Sequence, residues 1–143
     1  MRLKTRRGYG VMLFLLGVVL SIAIAGCDSG GDDDDVSLAG TWSGTIQDSI
    51  SGAGTGRVTI AQSGSTLSGT WEATFADPAN NNGGTLSGTF DGQSIDLTLS
   101  PSDPASCPFR VTATLQGDNR FTGTYAAFDC TVVVTGNLDV TRQ

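Results

Sequence analysis

Residues 66–75 read Thr-Leu-Ser-Gly-Thr-Trp-Glu-Ala-Thr-Phe. Leu67, Gly69, Trp71, Ala73 and Phe75 take alternate positions, and Ser68, Thr70, Glu72 and Thr74 fill the positions between them. Side chains of a strand point to opposite faces in turn, so this pattern dries one face and wets the other. The same period of two recurs from Val36 to Gln143, and no segment there carries the 3.6-residue apolar period of an amphipathic helix. The region is predicted to be all-β.

Working outward, the alternation predicts strands at 39–47, 55–62, 66–76, 84–91, 93–100, 108–116, 120–127 and 130–141. Ser63-Gly64, Asp91-Gly92 and Gly117-Asp118-Asn119 suit tight hairpins, and the stretches 77–84 and 101–106 suit longer loops. Hairpin spacing throughout predicts an eight-stranded antiparallel up-and-down meander. Its closure into a barrel would remove the edges that Thr-rich strands otherwise offer for aggregation, which favours a barrel over a sandwich. A phrase repeats along the meander: Leu38-x-Gly40-Thr41-Trp42, Leu67-x-Gly69-Thr70-Trp71, Leu86-x-Gly88-Thr89-Phe90 and Phe121-x-Gly123-Thr124-Tyr125. In each copy the apolar residue, the glycine and the aromatic share the inner face. Continuing the phase adds Val58 and Ile60, Leu97 and Leu99, Phe109 and Val111, and, in the last strand, Val132, Val134, Leu138 and Val140. The inner glycines have two readings. They let a small barrel coil tightly, or they leave room for a ligand beside the rings. On the second reading the pocket residues are Trp42, Gly69, Trp71, Gly88, Phe90 and Tyr125.

Composition narrows the chemistry. The chain has 143 residues and no histidine, which removes the usual general base of a catalytic triad and the commonest zinc ligand. Asp48, Glu72, Asp96 and Asp139 are the carboxylates that could be paired for glycoside hydrolysis, but the strand phase turns Glu72, Asp96 and Asp139 outward. There is no nucleophile elbow and no phosphate loop leading into a helix. Neither an enzymatic activity nor a cofactor or metal is expected. Beyond residue 27 the basic side chains are Arg57, Arg110, Arg120 and Arg142 against fourteen acids, a formal charge of −10 that repels a nucleic-acid backbone.

The start of the chain carries targeting information. Arg2, Lys4, Arg6 and Arg7 precede an apolar run from Val11 to Ala25 that is shorter than a spanning helix, the layout of an export signal. Its ending, Ile24-Ala25-Gly26-Cys27, resembles the lipobox of bacterial lipoproteins. The resemblance implies that residues 1–26 are removed and that the Cys27 thiol receives a diacylglyceryl group, tethering the mature chain to a membrane through several acyl chains. Residues 27–37, with the run Asp32 to Asp35, are expected to be a solvated, disordered tether, since they lack the ligand spacing of an EF-hand. Acidic stretches soon after a lipidated cysteine resemble surface-export signals of some Gram-negative lipoproteins, whereas Asp28 resembles an inner-membrane retention signal. The clustered aspartates favour the outer membrane or cell surface. Residues 38–143 are the barrel domain.

Gly40-Thr41-Trp42 on the first strand, with Arg142 ending the last, resembles the signature of the calycin barrels, the lipocalins and avidins. The resemblance implies a fold and not a ligand. Avidin-type sites place an Asn two residues after the first Trp and several more tryptophans around biotin, whereas this chain has Gly44 there and only Trp42 and Trp71. Cys107 and Cys130 remain once Cys27 is lipidated, and an even pair in an exported domain is most simply a disulfide. Both are assigned to the inner phase at the starts of strands six and eight. Next-but-one strands lie about 10 Å apart, beyond the roughly 7 Å a disulfide spans, so at least one cysteine must leave the ladder, and Pro108 points to Cys107. The sequence thus describes a non-enzymatic, lipid-anchored envelope protein whose barrel binds a small apolar ligand or a protein partner. The alternative is a structural or surface-display module with a solid core.

Overall fold

Leu67, Trp71 and Ala73 are buried and Ser68, Thr70, Glu72 and Thr74 are exposed, so the stretch that decides the fold is a strand with one dry face. The computed structural model describes residues 36–143. The leader, the lipobox with Cys27 and the tether up to Asp35 lie outside the described residues. The strands are β1 (Gly40–Asp48), β2 (Gly52–Ser63), β3 (Thr66–Phe75), β4 (Asn82–Phe90), β5 (Ser94–Pro101), β6 (Phe109–Gln116), β7 (Arg120–Ala127) and β8 (Thr135–Arg142), with one 3-10 turn at Pro78–Asn80. Each pairs antiparallel with the next, and β8 returns to β1 through Trp42 opposite Arg142, closing the barrel.

The glycines explain how so small a barrel coils. A Cβ on Gly44, Gly69, Gly84, Gly88 or Gly123 would lie 1.9–2.3 Å from the carbonyl oxygen of Asp139, Thr59, Ser100, Asp96 or Thr112 respectively. In every case that carbonyl belongs to the residue just before the glycine's cross-strand partner. The strand leans into its neighbour at each of these points, and no side chain other than hydrogen fits.

One end of the barrel is packed solid. Here the short β2–β3, β4–β5 and β6–β7 hairpins meet the two ends of the domain, and Leu38, Trp42, Leu67, Phe90, Ile95 and Phe121 are at most 4% exposed. The Trp42 and Phe121 rings pack at a tilt of 56° with centroids 5.0 Å apart, and the Trp42 Nε1 donates to Leu38 O at 2.9 Å. The Arg142 guanidinium lies 4.3 Å from the Trp42 ring centroid and donates to Ala39 O, Ser37 O and Asp118 O. The two residues that carry the barrel resemblance are therefore in contact, and together they seal this end by cation–π attraction and charge-assisted hydrogen bonds.

The last strand departs from the sequence reading. It begins at Thr135, and the stretch 128–134 is a loop in which Val132 is 52% exposed and Val133 82% exposed. Val132 is therefore not an inner-face residue. The Cys107–Cys130 disulfide accounts for this, with Cα atoms 5.9 Å apart. It reaches across the end of β7 from the β5–β6 loop, and both cysteines, not Cys107 alone, leave the ladder to make that span.

An apolar cavity at the open end of the barrel

Opposite the sealed end, the β1–β2, β3–β4, β5–β6 and β7–β8 connections surround a cavity of about 320 Å³. Inward alternation builds its wall from Ile46, Val58, Leu97, Leu99, Val111 and Leu138, and Phe121 and Val140 form part of its lining. Core residues that remain only partly buried, among them Val58, Leu99, Phe109, Tyr125 and Leu138, are ones that face this space. One side is aromatic. Trp71 meets Phe109 edge to face at 6.0 Å, and Phe109 meets Tyr125 in the same way at 5.7 Å. Gly136 makes room for Tyr125, whose ring covers it where a Cβ would collide at 2.3 Å.

The mouth carries one polar clamp. Asp48, the last residue of β1, accepts hydrogen bonds from Ile50 N–H (2.9 Å), Ser51 N–H (2.8 Å) and the Tyr125 hydroxyl (2.7 Å). Burial pushes the Asp48 carboxyl up, and the bonds from Ser51, Tyr125 and Ile50 outweigh it, so its pKa lies below the ordinary carboxylate value. Burial, with the bond to Asp48 and its charge, raises the Tyr125 hydroxyl. The signs follow from linkage. The Asp48 contribution to stability is present above the unfolded carboxylate pKa of about 4 and is lost as pH falls through the lower folded value. The Tyr125 contribution is present below the unfolded tyrosine pKa of about 10 and is lost as pH rises through the higher folded value. A spectrophotometric alkaline titration should find Tyr125 ionising above an ordinary tyrosine, and Asp48→Asn should bring it part of the way back, since burial remains. An ordinary titration in the unmodified protein would contradict the clamp.

The sequence-derived site residues divide between the two ends. Trp71 and Tyr125 line the cavity. Trp42 and Phe90 pack the sealed end, because their strands place them beside the short hairpins there. Gly69 and Gly88 are not part of the cavity lining, since each faces the backbone of the neighbouring strand. Cys107 and Cys130 tie two mouth loops together, one of which brings Val134 to the cavity. Glu72 and Asp96 are exposed, and Asp139 forms a solvent-facing ion pair with Arg120 at 2.6 Å. Among the described residues the exposed large apolar side chains are Ile50, Val132 and Val133, all on mouth loops. The β1–β2 and β7–β8 loops that carry them are joined through Ser49 and Thr135.

Phe109 and Asp48 were missed as cavity residues, although both lie in the inner phase. Strand phase says which residues face inward but not which end is open. The signal lay in the connections. Three of the four short connections fall at the sealed end, and the longer ones, at 76–81, 102–108 and 128–134, fall at the open end beside the three-residue β1–β2 turn.

No protein-family model matches the chain, and no curated protein matches it as a relative. Solved structures do. The barrel is similar to a redesigned β-barrel, mFAP1, bound to DFHBI, with a TM-score of 0.62 at 17% identity over 74% of this chain and 94% of that one. It is also similar to EF1p2_mFAP2b bound to DFHBI, with a TM-score of 0.64 at 15% identity over 74% and 94% of the two chains. A third likeness is to the redesigned barrel mFAP0 bound to DFHBI, with a TM-score of 0.60 at 16% identity over 74% and 98%. The likeness is one of fold.

Proposed function

We propose that the protein is a non-enzymatic, lipid-anchored component of a bacterial envelope whose barrel holds a small apolar ligand in its open end. The observation that carries the ligand reading is the half-filled interior. A barrel of eight strands has room for a complete side-chain core or for one small molecule. This one packs a core at the sealed end and leaves about 320 Å³ at the other, lined mainly by aliphatic and aromatic groups with Asp48, Arg57, Glu72 and Asn80 among the polar ones, a volume at the lower end of ligand pockets. Barrels of similar fold bound to DFHBI lend support. The exposed Ile50 at the mouth suits an apolar molecule passing in from outside.

Anchoring rests on the lipobox-like Ile24-Ala25-Gly26-Cys27, and the acidic run Asp32 to Asp35 favours the outer membrane or cell surface. Native mass spectrometry of the protein extracted from its own membrane tests both halves. The expected species begins at Cys27, carries acyl chains, lacks the two thiol hydrogens of Cys107 and Cys130, and releases a small molecule on activation. In Cys27→Ser the leader should remain and the acyl mass should vanish. An unacylated wild-type chain would remove the anchor. An anchored chain that releases nothing and binds no apolar probe would leave a display module.

A further inference from the structure

Trp42 and Trp71 hold equivalent places in two copies of the same phrase, yet only one of them is satisfied. The Trp42 Nε1 donates to the carbonyl of Leu38, which precedes β1 and is free to turn its oxygen inward. Leu67 is the matching residue for Trp71, but it lies within β3, paired with Gln62 on one side and Gly88 on the other. Its carbonyl lies in the plane of the sheet and is not directed into the interior. The Trp71 side chain is 7% exposed, and its Nε1 is the one buried side-chain polar atom without a partner among the described residues. A donor left in that state is a standing cost to the fold, and natural proteins seldom leave one without a reason. The indole lines the cavity.

We infer that the cavity takes a largely apolar molecule carrying a hydrogen-bond acceptor, a carbonyl or ether-type oxygen, and that the Trp71 Nε1 is the donor that meets that acceptor. The inference rests on the reading of the cavity as a ligand site. The apolar character follows from the walls, where Trp71, Phe109 and Tyr125 join Val58, Leu97, Leu99 and Val111 in the lining. The acceptor follows from the unpaired donor, since the Tyr125 hydroxyl already donates to Asp48 whereas the buried indole N–H has no partner. The nitrogen itself is closed off from the cavity space, so the indole must turn to meet the acceptor, a side-chain change of the kind that commonly accompanies binding.

Two probes of the same shape test this: 2-acetylnaphthalene, which has a carbonyl oxygen, and 2-isopropenylnaphthalene, in which a methylene replaces that oxygen. In the nitrogen-15-labelled full chain, the ketone should move one of the two indole N–H resonances downfield, and the alkene should not. In Trp71→Phe, affinity for the ketone should fall roughly three- to tenfold, the range for one net hydrogen bond, while affinity for the alkene stays within about twofold. Equal loss for both probes in Trp71→Phe, or a bound ketone that leaves both indole resonances in place, overturns the inference and leaves the ligand cavity standing. Failure of both probes to bind the unmodified protein overturns the cavity reading itself. If Trp71→Phe does not fold, the resonance shifts in the unmodified chain decide alone.

Discussion

Gly88→Val should destabilise the barrel by about 3 kcal/mol or more, at or beyond the upper end of ordinary overpacking, and Gly88→Ala should come close to it. A Cβ at this position would sit 1.9 Å from Asp96 O and 2.9 Å from Leu97 Cα. Both obstacles are backbone of β5, held by pairing on each side, so nothing can rotate out of the way. For a domain of this size each kcal/mol is worth roughly 4–8 °C in melting temperature, so a fall of more than about 10 °C is expected. Gly56→Ala is the internal control. Its Cβ would meet only the Ile46 Cγ2 at 3.2 Å, a side-chain contact beside the cavity that can yield, and it should stay within about 1 kcal/mol of the unmodified protein. If Gly88→Ala melts like Gly56→Ala, the close strand approach at Gly88 is wrong.

This prediction also shows where the sequence was legible and where it was not. Alternation in stretches such as 66–75 and 93–100 reflects a strong physical constraint, because a register slip of one residue would turn every apolar side chain into water. The strands, the inner face and the number eight were therefore readable. Closure was readable too, from Thr-rich strands with no protected edge, and the resemblance of Gly40-Thr41-Trp42 and Arg142 to the calycin signature implied it. The repeated glycines were visible but ambiguous, since coiling and making room both ask for the smallest residue. Only the carbonyl positions of the neighbouring strands separate those readings. The candidate pocket was legible in part for the same reason. Phase places Trp42 and Trp71 on one face alike, while the difference between a plug and a cavity wall depends on which barrel end each strand carries them to. Residues 130–134 have strand-forming composition, with Cys130, Val132 and Val134 in phase, but a covalent link overrides local pattern. A disulfide that must step over β7 takes both flanking segments out of the ladder.

Loss of that link is the second large effect. Cys107→Ala with Cys130→Ala should cost about 3–4 kcal/mol, the chain-entropy estimate for a crosslink at a sequence separation of 23. Most of the loss acts through the unfolded chain, which gains the freedom the bridge had removed, so the folded double variant should keep its closed barrel. The local consequence is confined to the mouth. Arg110 lies 5.2 Å over the Phe128 ring and the Phe128 N–H donates to Pro108 O, so a few non-covalent contacts continue to hold the two loops together. Those contacts are exposed and weak beside the crosslink they assist. Amide exchange should therefore quicken in 102–108 and 128–134 far more than around Trp42 and Phe121, where Arg142 and the short hairpins still seal the core. Because Ser106 and Val134 both line the cavity, the same loosening should speed release of a bound apolar probe more than it changes the apolar wall the probe contacts. Uniformly faster exchange at both ends would mean that the bridge supports the whole barrel and not its mouth. A melting temperature unchanged in the double variant, or two free thiols found by alkylation of the unmodified protein under non-reducing conditions, would remove the crosslink from the account of stability altogether.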